Sequence, residues 1–158
     1  MKTQSPEHDY LLLYRLLMLI GTPMVFFDSF FFDALQPVNS AAEVVSRYVA
    51  ALLVIASFTA SWFSRWWQDN IGEITLFTSY CVVINAALIL YDSKIGAYES
   101  YYPIGTLLLI GMTFHKTSLV FAFEIPAAII YIYTAHQIPD PKMDPKLFTA
   151  LVVVFFYY

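Results

Sequence analysis

The side chains best suited to chemistry in this chain are four ionisable residues inside long apolar stretches: Arg15, Asp28, Arg47 and Glu124. Ionisable groups are costly within a membrane and are usually paired or functional there. Their distances from the ends of the apolar stretches predict that Asp28 lies at the depth of Arg47, and Arg15 at the depth of Glu124. Each pair either fixes the register of two helices or lines a ligand pocket or switch, and the sequence leaves both interpretations open.

A second pairing competes for Arg47. Glu43 precedes it by four residues, a spacing that puts two side chains on the same face of a helix. An ion pair between Glu43 and Arg47 would leave Asp28 more freely available to another partner or to a ligand.

Uncharged polar residues on the third apolar stretch are further candidate ligand anchors, namely Tyr80 and Asn85, with Thr78 nearby. Ligand pockets are commonly apolar with a few polar anchors, and the phenylalanines of residues 26–32 are suited to lining such a slot. The alternative for Asn85 is a hydrogen bond to a neighbouring helix.

Catalytic, metal and cofactor patterns are missing from the sequence. His8, His115 and His136 stand at predicted helix ends or in the tail, whereas a membrane haem needs histidines that face each other inside the bilayer. No nucleophile or phosphate-loop motif occurs, and the single Cys81 excludes an internal disulfide. The net charge of −4 comes without a basic stripe, which argues against a nucleic-acid partner. We therefore expect no cofactor, no metal and no catalytic set within these residues.

The elements that must position these side chains are apolar runs of helical length. The chain is 59% hydrophobic and 13% charged, against about a quarter charged in soluble domains. About 20 apolar residues cross a bilayer as a helix. The pattern predicts an all-α fold: a tail at residues 1–9, then a polytopic membrane bundle of six transmembrane helices in residues 10–158. The predicted spans are residues 10–32, 41–63, 71–91, 102–114, 119–135 and 147–158.

Two features of these predicted helices bear on function. Pro23 and Pro126 predict kinks, because proline lacks a backbone N–H and clashes with the preceding turn. The sixth helix, at 12 residues, reaches only about 18 Å, so we expect it to be incomplete and to continue beyond Tyr158 into a cytosolic domain.

The orientation of the bundle rests on weak signals. Lysines and arginines divide equally between the two sides, but one set of loops is richer in acids, and a Trp-Arg cluster at residues 62–67 is typical of a membrane surface. Both signals favour a cytoplasmic N-terminus, and we expect a bacterial inner membrane.

The first helix and the start of the second resemble the six-helix membrane sensors of α-hydroxyketone quorum-sensing histidine kinases. The resemblance is carried by Gly21-Thr22-Pro23, then Phe26-Phe27-Asp28, a short loop, and Glu43 and Arg47 ahead of an alanine-rich helix. Similar modules precede class III nucleotide cyclases. The resemblance implies a sensor that acts on a C-terminal kinase or cyclase. This chain departs from the family pattern on its first helix, which has phenylalanine and Asp28 where that pattern is richer in tryptophan and tyrosine.

The leading functional hypothesis is therefore a sensory module in the lipid bilayer. It would bind a small, largely apolar signal and form a homodimer through its sixth helix. Two alternatives stay open: a membrane anchor and dimerisation module without a ligand, and a small transporter or membrane subunit with a polar path through the bilayer.

Overall fold

The computed structural model describes residues 10–16, 19, 40–96, 101–111, 113–114 and 116–155, and in them it contains helices joined by turns, without a strand. The all-α class is thus confirmed. The helices are α1 (residues 10–16), α2 (Ala41–Phe63), α3 (Arg65–Asp69), α4 (Ile71–Asp92), α5 (Tyr101–Gly111), α6 (Thr117–Gln137) and α7 (Pro145–Phe155). The predicted kink at Pro23 and the candidate site residue Asp28 lie outside the described residues.

Three of these helices, α2, α4 and α6, are long and apolar enough to cross a membrane. Helices α5 and α7 have 11 residues each and reach only about 16 Å. Most of the first predicted span lies outside the described residues. The described part of the chain therefore contains three candidate spans, and an arrangement of six stays a prediction.

Local sequence explains why α2 begins where it does. Ser40 has extended backbone angles, and its Oγ accepts a hydrogen bond of 3.2 Å from the Glu43 backbone N–H. Such a cap satisfies one of the free N–H groups in the first turn of a helix. The predicted bounds of α2 and the predicted cap are both confirmed.

The segment after α2 differs from the prediction. Arg65–Asp69 form the short helix α3, where the sequence pattern predicted only an interfacial connection. The reason is Ser64, which serves two helices at once. Its backbone N–H closes the end of α2 on Ala60 O, while its Oγ accepts from Trp67 N at 3.3 Å and starts α3.

Helix α4 is central to the described fold, since it packs against α2, α5 and α6. The main apolar cluster joins α4 to α5, α6 and α7 through fully buried residues such as Leu90, Phe123 and Phe148. A smaller cluster of Tyr10, Tyr14 and Ile71 joins α1 to the start of α4.

The C-terminal end of α4 is tied to the linker that precedes α7. Ile95 N donates to Leu90 O and Lys94 N to Tyr91 O, the pair of bonds that defines a Schellman motif. Lys94 and Ile95 both have positive φ angles, 56° and 55°. A positive φ is uncommon for a β-branched residue such as Ile95, whose side chain is completely buried. Lys142 N donates to Lys94 O at 2.7 Å, so this constrained turn holds the α6–α7 linker in place.

Candidate functional site

Polar side chains join α2 to α4 at several points. Asn85 Nδ2 donates to Ser46 Oγ at 2.9 Å and to Glu43 O at 3.3 Å. Ser40 N donates to the Asp92 carboxylate at 3.2 Å, where α2 begins and α4 ends. The amide nitrogen of Asn85 is therefore engaged by α2, which is the helix-to-helix role that the sequence left open beside ligand binding.

Arg47 forms an ion pair with Glu43 on the same helix. The two side chains are 11% and 2% exposed, so each charge is largely withdrawn from solvent and depends on its partner. The predicted pairing at four-residue spacing is confirmed. The Asp28–Arg47 contact stays a prediction, because Asp28 lies outside the described residues.

Arg15 binds the end of α2. Its guanidinium donates one hydrogen bond to Ser61 O and another, from Nε, to Ser61 Oγ at 3.4 Å. The guanidinium carbon also lies 4.0 Å from the centre of the Trp62 ring. Gln68 Nε2 donates to the same carbonyl at 2.9 Å. Ser61 O is among the last four carbonyls of α2, which lack partners within the helix and form the negative end of its dipole. Arg15 therefore caps α2 with a positive charge.

The expected contact between Arg15 and Glu124 is not formed among the described residues. Glu124 stands on α6, seven residues after Thr117, which is about 10 Å along the helix. A Cβ added to Gly111 would lie 2.5 Å from Glu124 Oε1, so the carboxyl group occupies the space beside the last residue of α5. Within the described part of the chain, Glu124 has neither a hydrogen-bond partner nor an ion-pair partner.

Tyr80 joins α4 to α6 next to the proline. Its hydroxyl donates to Ala122 O, and its ring centre lies 6.1 Å from that of Phe123. In an unbroken helix, the backbone N–H of residue 126 would bond that carbonyl, but Pro126 has none. Tyr80 thus supplies the missing donor, and α6 continues through Pro126 to Gln137. The kink at Pro126 stays a prediction.

A group of buried hydroxyls lies between α1, α2 and α4, and the sequence pattern did not predict it. Tyr14 is 1% exposed, and the side chains of Thr75 and Ser57 lie close to its hydroxyl. Neither meets the geometry of a hydrogen bond with it, so Tyr14 Oη is without a partner among the described residues. The only sequence signal was the four-residue spacing of Tyr10 and Tyr14, which places both on one helix face.

No protein family, curated protein or solved structure matches this chain. The resemblance to quorum-sensing kinase sensors accordingly stays a prediction carried by the quoted residues alone. Among the described residues, no group of three or more His, Cys, Asp or Glu side chains is arranged to hold a metal ion.

Proposed function

We propose that this chain is a membrane-embedded sensory module, which binds a small, largely apolar signal and regulates a C-terminal cytosolic signalling enzyme, a histidine kinase or a nucleotide cyclase. The observation that supports it most directly is the Tyr80–Ala122 bond beside Pro126. It is a single side-chain hydrogen bond that substitutes for a backbone bond inside an apolar helix.

Such a bond suits a switch because it can break without unfolding α6. A backbone hydrogen bond in a helix is cooperative with its neighbours, whereas the Tyr80 bond depends only on how α4 and α6 lie against each other. Helix α6 leads through a short linker to α7. A change of angle at Pro126 would therefore reach the far end of the described chain.

Signalling further requires that the signal bind two states of the bundle with different affinities. One state has Tyr80 bonded to Ala122 O. In the other, the carbonyl is released and α6 bends further at Pro126. A difference of about 1.4 kcal/mol in binding free energy would change the ratio of the two states tenfold.

The proposal includes six spans, with the N-terminus and the continuation after α7 in the cytoplasm of a bacterial cell. The order of contacts supports the alternation of helix directions and does not bear on which side is cytoplasmic. The Arg15–Ser61 contact joins α1 to the end of α2, and the Ser40–Asp92 contact joins the start of α2 to the end of α4. Alternating directions then return α7 to the side on which α1 begins. A homodimer through α7 and its continuation would follow, because the proposed effectors work as dimers.

Glu124 favours one second candidate, a small transporter or membrane subunit. A carboxyl group about 10 Å along a candidate span, with no partner among the described residues, is a residue type that marks ion and proton pathways. Flux of a solute or of protons into proteoliposomes, abolished by Glu124→Gln, would establish this function in place of the sensory one.

The experiment that tests the sensory function joins residues 1–158 to a histidine-kinase reporter domain in bacterial cells. The input is an ethyl acetate extract of spent culture medium. We expect a change in reporter output with the intact module and a smaller change with Tyr80→Phe. Replacing the module by an unrelated membrane anchor should abolish the response; an equal response from that anchor would reduce the module to a tether.

A further inference from the structure

The turn that ends α4 contains a residue that is both strained and buried. Ile95 has a φ of 55°, which is uncommon for a β-branched residue, yet its side chain is completely buried. Lys94 before it has a φ of 56° and an exposed side chain. Residues other than glycine keep such angles only where the surrounding structure holds them. The contacts around Ile95 therefore decide whether this turn keeps its conformation.

These contacts come from the linker after α6 and from α7. Ile95 belongs to the apolar cluster that also contains Ile138, at the end of α6, and Phe148 on α7. In the linker between those helices, Lys142 N donates to Lys94 O at 2.7 Å. Burial of the Ile95 side chain favours this arrangement, whereas the left-handed backbone of the same residue opposes it. The two opposing contributions are of similar size.

We propose that residues 93–95, hereafter the 93–95 turn, are a two-state conformational device that fixes α7 in one state and frees it in the other. In the closed state, Ile95 is buried and Lys142 N bonds Lys94 O, as in the structure. In the open state, Ile95 leaves the cluster, its φ becomes negative, and Lys142 N is released to water. The linker and α7 then lose this attachment to α4.

The device deepens the proposed sensory function, and its biological purpose rests on that function. Ile138 lies about 18 Å beyond Pro126 along α6, so a further bend at the proline would displace Ile138 relative to Ile95. Part of the burial that keeps the turn closed would then be lost, and the strain at Ile95 would open it. A change at Pro126 would reach α7 in this way.

The test is amide hydrogen exchange at Lys142, measured by NMR on residues 1–158 with isotope-labelled lysine in lipid nanodiscs. Exchange at this amide reports how often its hydrogen bond opens. Lys94→Gly removes the cost of a positive φ, which exceeds the extra freedom that glycine gives the open state, and should slow the exchange about threefold. Lys94→Val introduces a β-branched residue and should accelerate it about threefold. Ile95→Ala removes most of the buried side chain and should accelerate it about tenfold.

The chain itself offers two controls. Lys116→Gly makes the same chemical change at an exposed lysine whose φ is −110°, so it should leave exchange at Lys142 unchanged. The Lys146 amide donates to the Asp144 carboxylate at 2.9 Å, a bond that does not involve the 93–95 turn, and its exchange should be the same in every variant. If Ile95→Ala fails to fold, the two Lys94 variants decide the question.

The position of α7 is measured separately by electron paramagnetic resonance. Spin labels are attached to Ile84→Cys on α4 and Leu151→Cys on α7, both at exposed positions, with Cys81→Ala in the background. Lys94→Gly should narrow the distribution of distances between the labels, because it favours the closed state. Lys94→Val should broaden the distribution.

Three outcomes would overturn the proposal: exchange at Lys142 that both Lys94 variants leave unchanged, equal changes at Lys142 and Lys146, which mark general unfolding, or a distance distribution that is the same in both Lys94 variants. Failure of the sensory function is a separate result, in which exchange at Lys142 follows the Lys94 variants while the kinase reporter stays silent.

Discussion

Replacing Tyr80 by phenylalanine removes one hydroxyl and leaves the ring in place against Phe123. Ala122 O then loses the hydrogen bond from Tyr80, and Pro126 has no backbone N–H to replace it. The bond lies at the protein surface, where surrounding lipid would keep water from the carbonyl. A carbonyl left unsatisfied in such surroundings costs about 1–3 kcal/mol, and hydrogen bonds between membrane helices average about 0.6 kcal/mol with a maximum near 1.7. We expect Tyr80→Phe to lower the free energy of unfolding by about 1 kcal/mol.

Replacing Pro126 provides a control for the role of the missing N–H. In a Pro126→Ala background, the restored N–H of residue 126 can bond Ala122 O as in any helix. There Tyr80→Phe should cost close to nothing, and the double-mutant cycle should give an interaction free energy of about 1 kcal/mol. The effect of proline itself on the helix, about 3 kcal/mol, cancels within the cycle.

The assay is reversible unfolding of the four proteins in bicelles, with Tyr133→Phe as the matched control because Tyr133 is 66% exposed on the same helix as the proline. That control should lie within about 0.5 kcal/mol of the parent, as surface substitutions usually do. An equal cost of Tyr80→Phe with Pro126 present and with Pro126→Ala in place would refute the reasoning, since the hydroxyl would then act independently of the missing N–H.

Three further predictions concern contacts of the described helices. Gly111→Ala should change the free energy of unfolding by less than about 0.5 kcal/mol, because the added Cβ would meet the Oε1 atom at the end of the flexible Glu124 side chain, which can turn away. A loss of about 1 kcal/mol or more in thermal unfolding would show that this carboxyl group is held in place. Asn85→Leu should cost about 1 kcal/mol in bicelle unfolding by removing the bonds to α2, and a neutral result would assign Asn85 another role. Arg15→Met should lower the free energy of unfolding by about 1–2 kcal/mol, because it removes both a charged helix cap and the contact with Trp62. Urea titration measures this loss, and an unchanged midpoint would mean that the cap does not stabilise the fold.

The parts of the fold that sequence predicted are those determined by near neighbours in the chain. The cap from Ser40 to Glu43 and the ion pair from Glu43 to Arg47 span three and four residues, and helical spacing alone brings such residues together. The start of α2 and its first turn could thus be predicted without knowledge of any other helix. The same holds for the disruption at Pro126, since a missing N–H is a property of one residue.

The partner of Arg15 could not be predicted in this way. Depth in a bilayer gives a position along a helix but says nothing about the direction in which a side chain points around it. Arg15 and Glu124 were matched by depth, yet Arg15 points towards the end of α2 and Glu124 towards Gly111 on α5. Free carbonyls at a helix end compete with carboxylates for a cation, and a hydropathy pattern does not display them.

Tyr14 was missed for a related reason. In a hydropathy pattern a tyrosine within an apolar run counts as an apolar residue, and its ring indeed packs with Ile71. Whether its hydroxyl is bonded depends on Ser57 and Thr75, which are about 43 and 61 residues away in the chain. Only the packing of three helices shows that the hydroxyl is enclosed without a partner among the described residues.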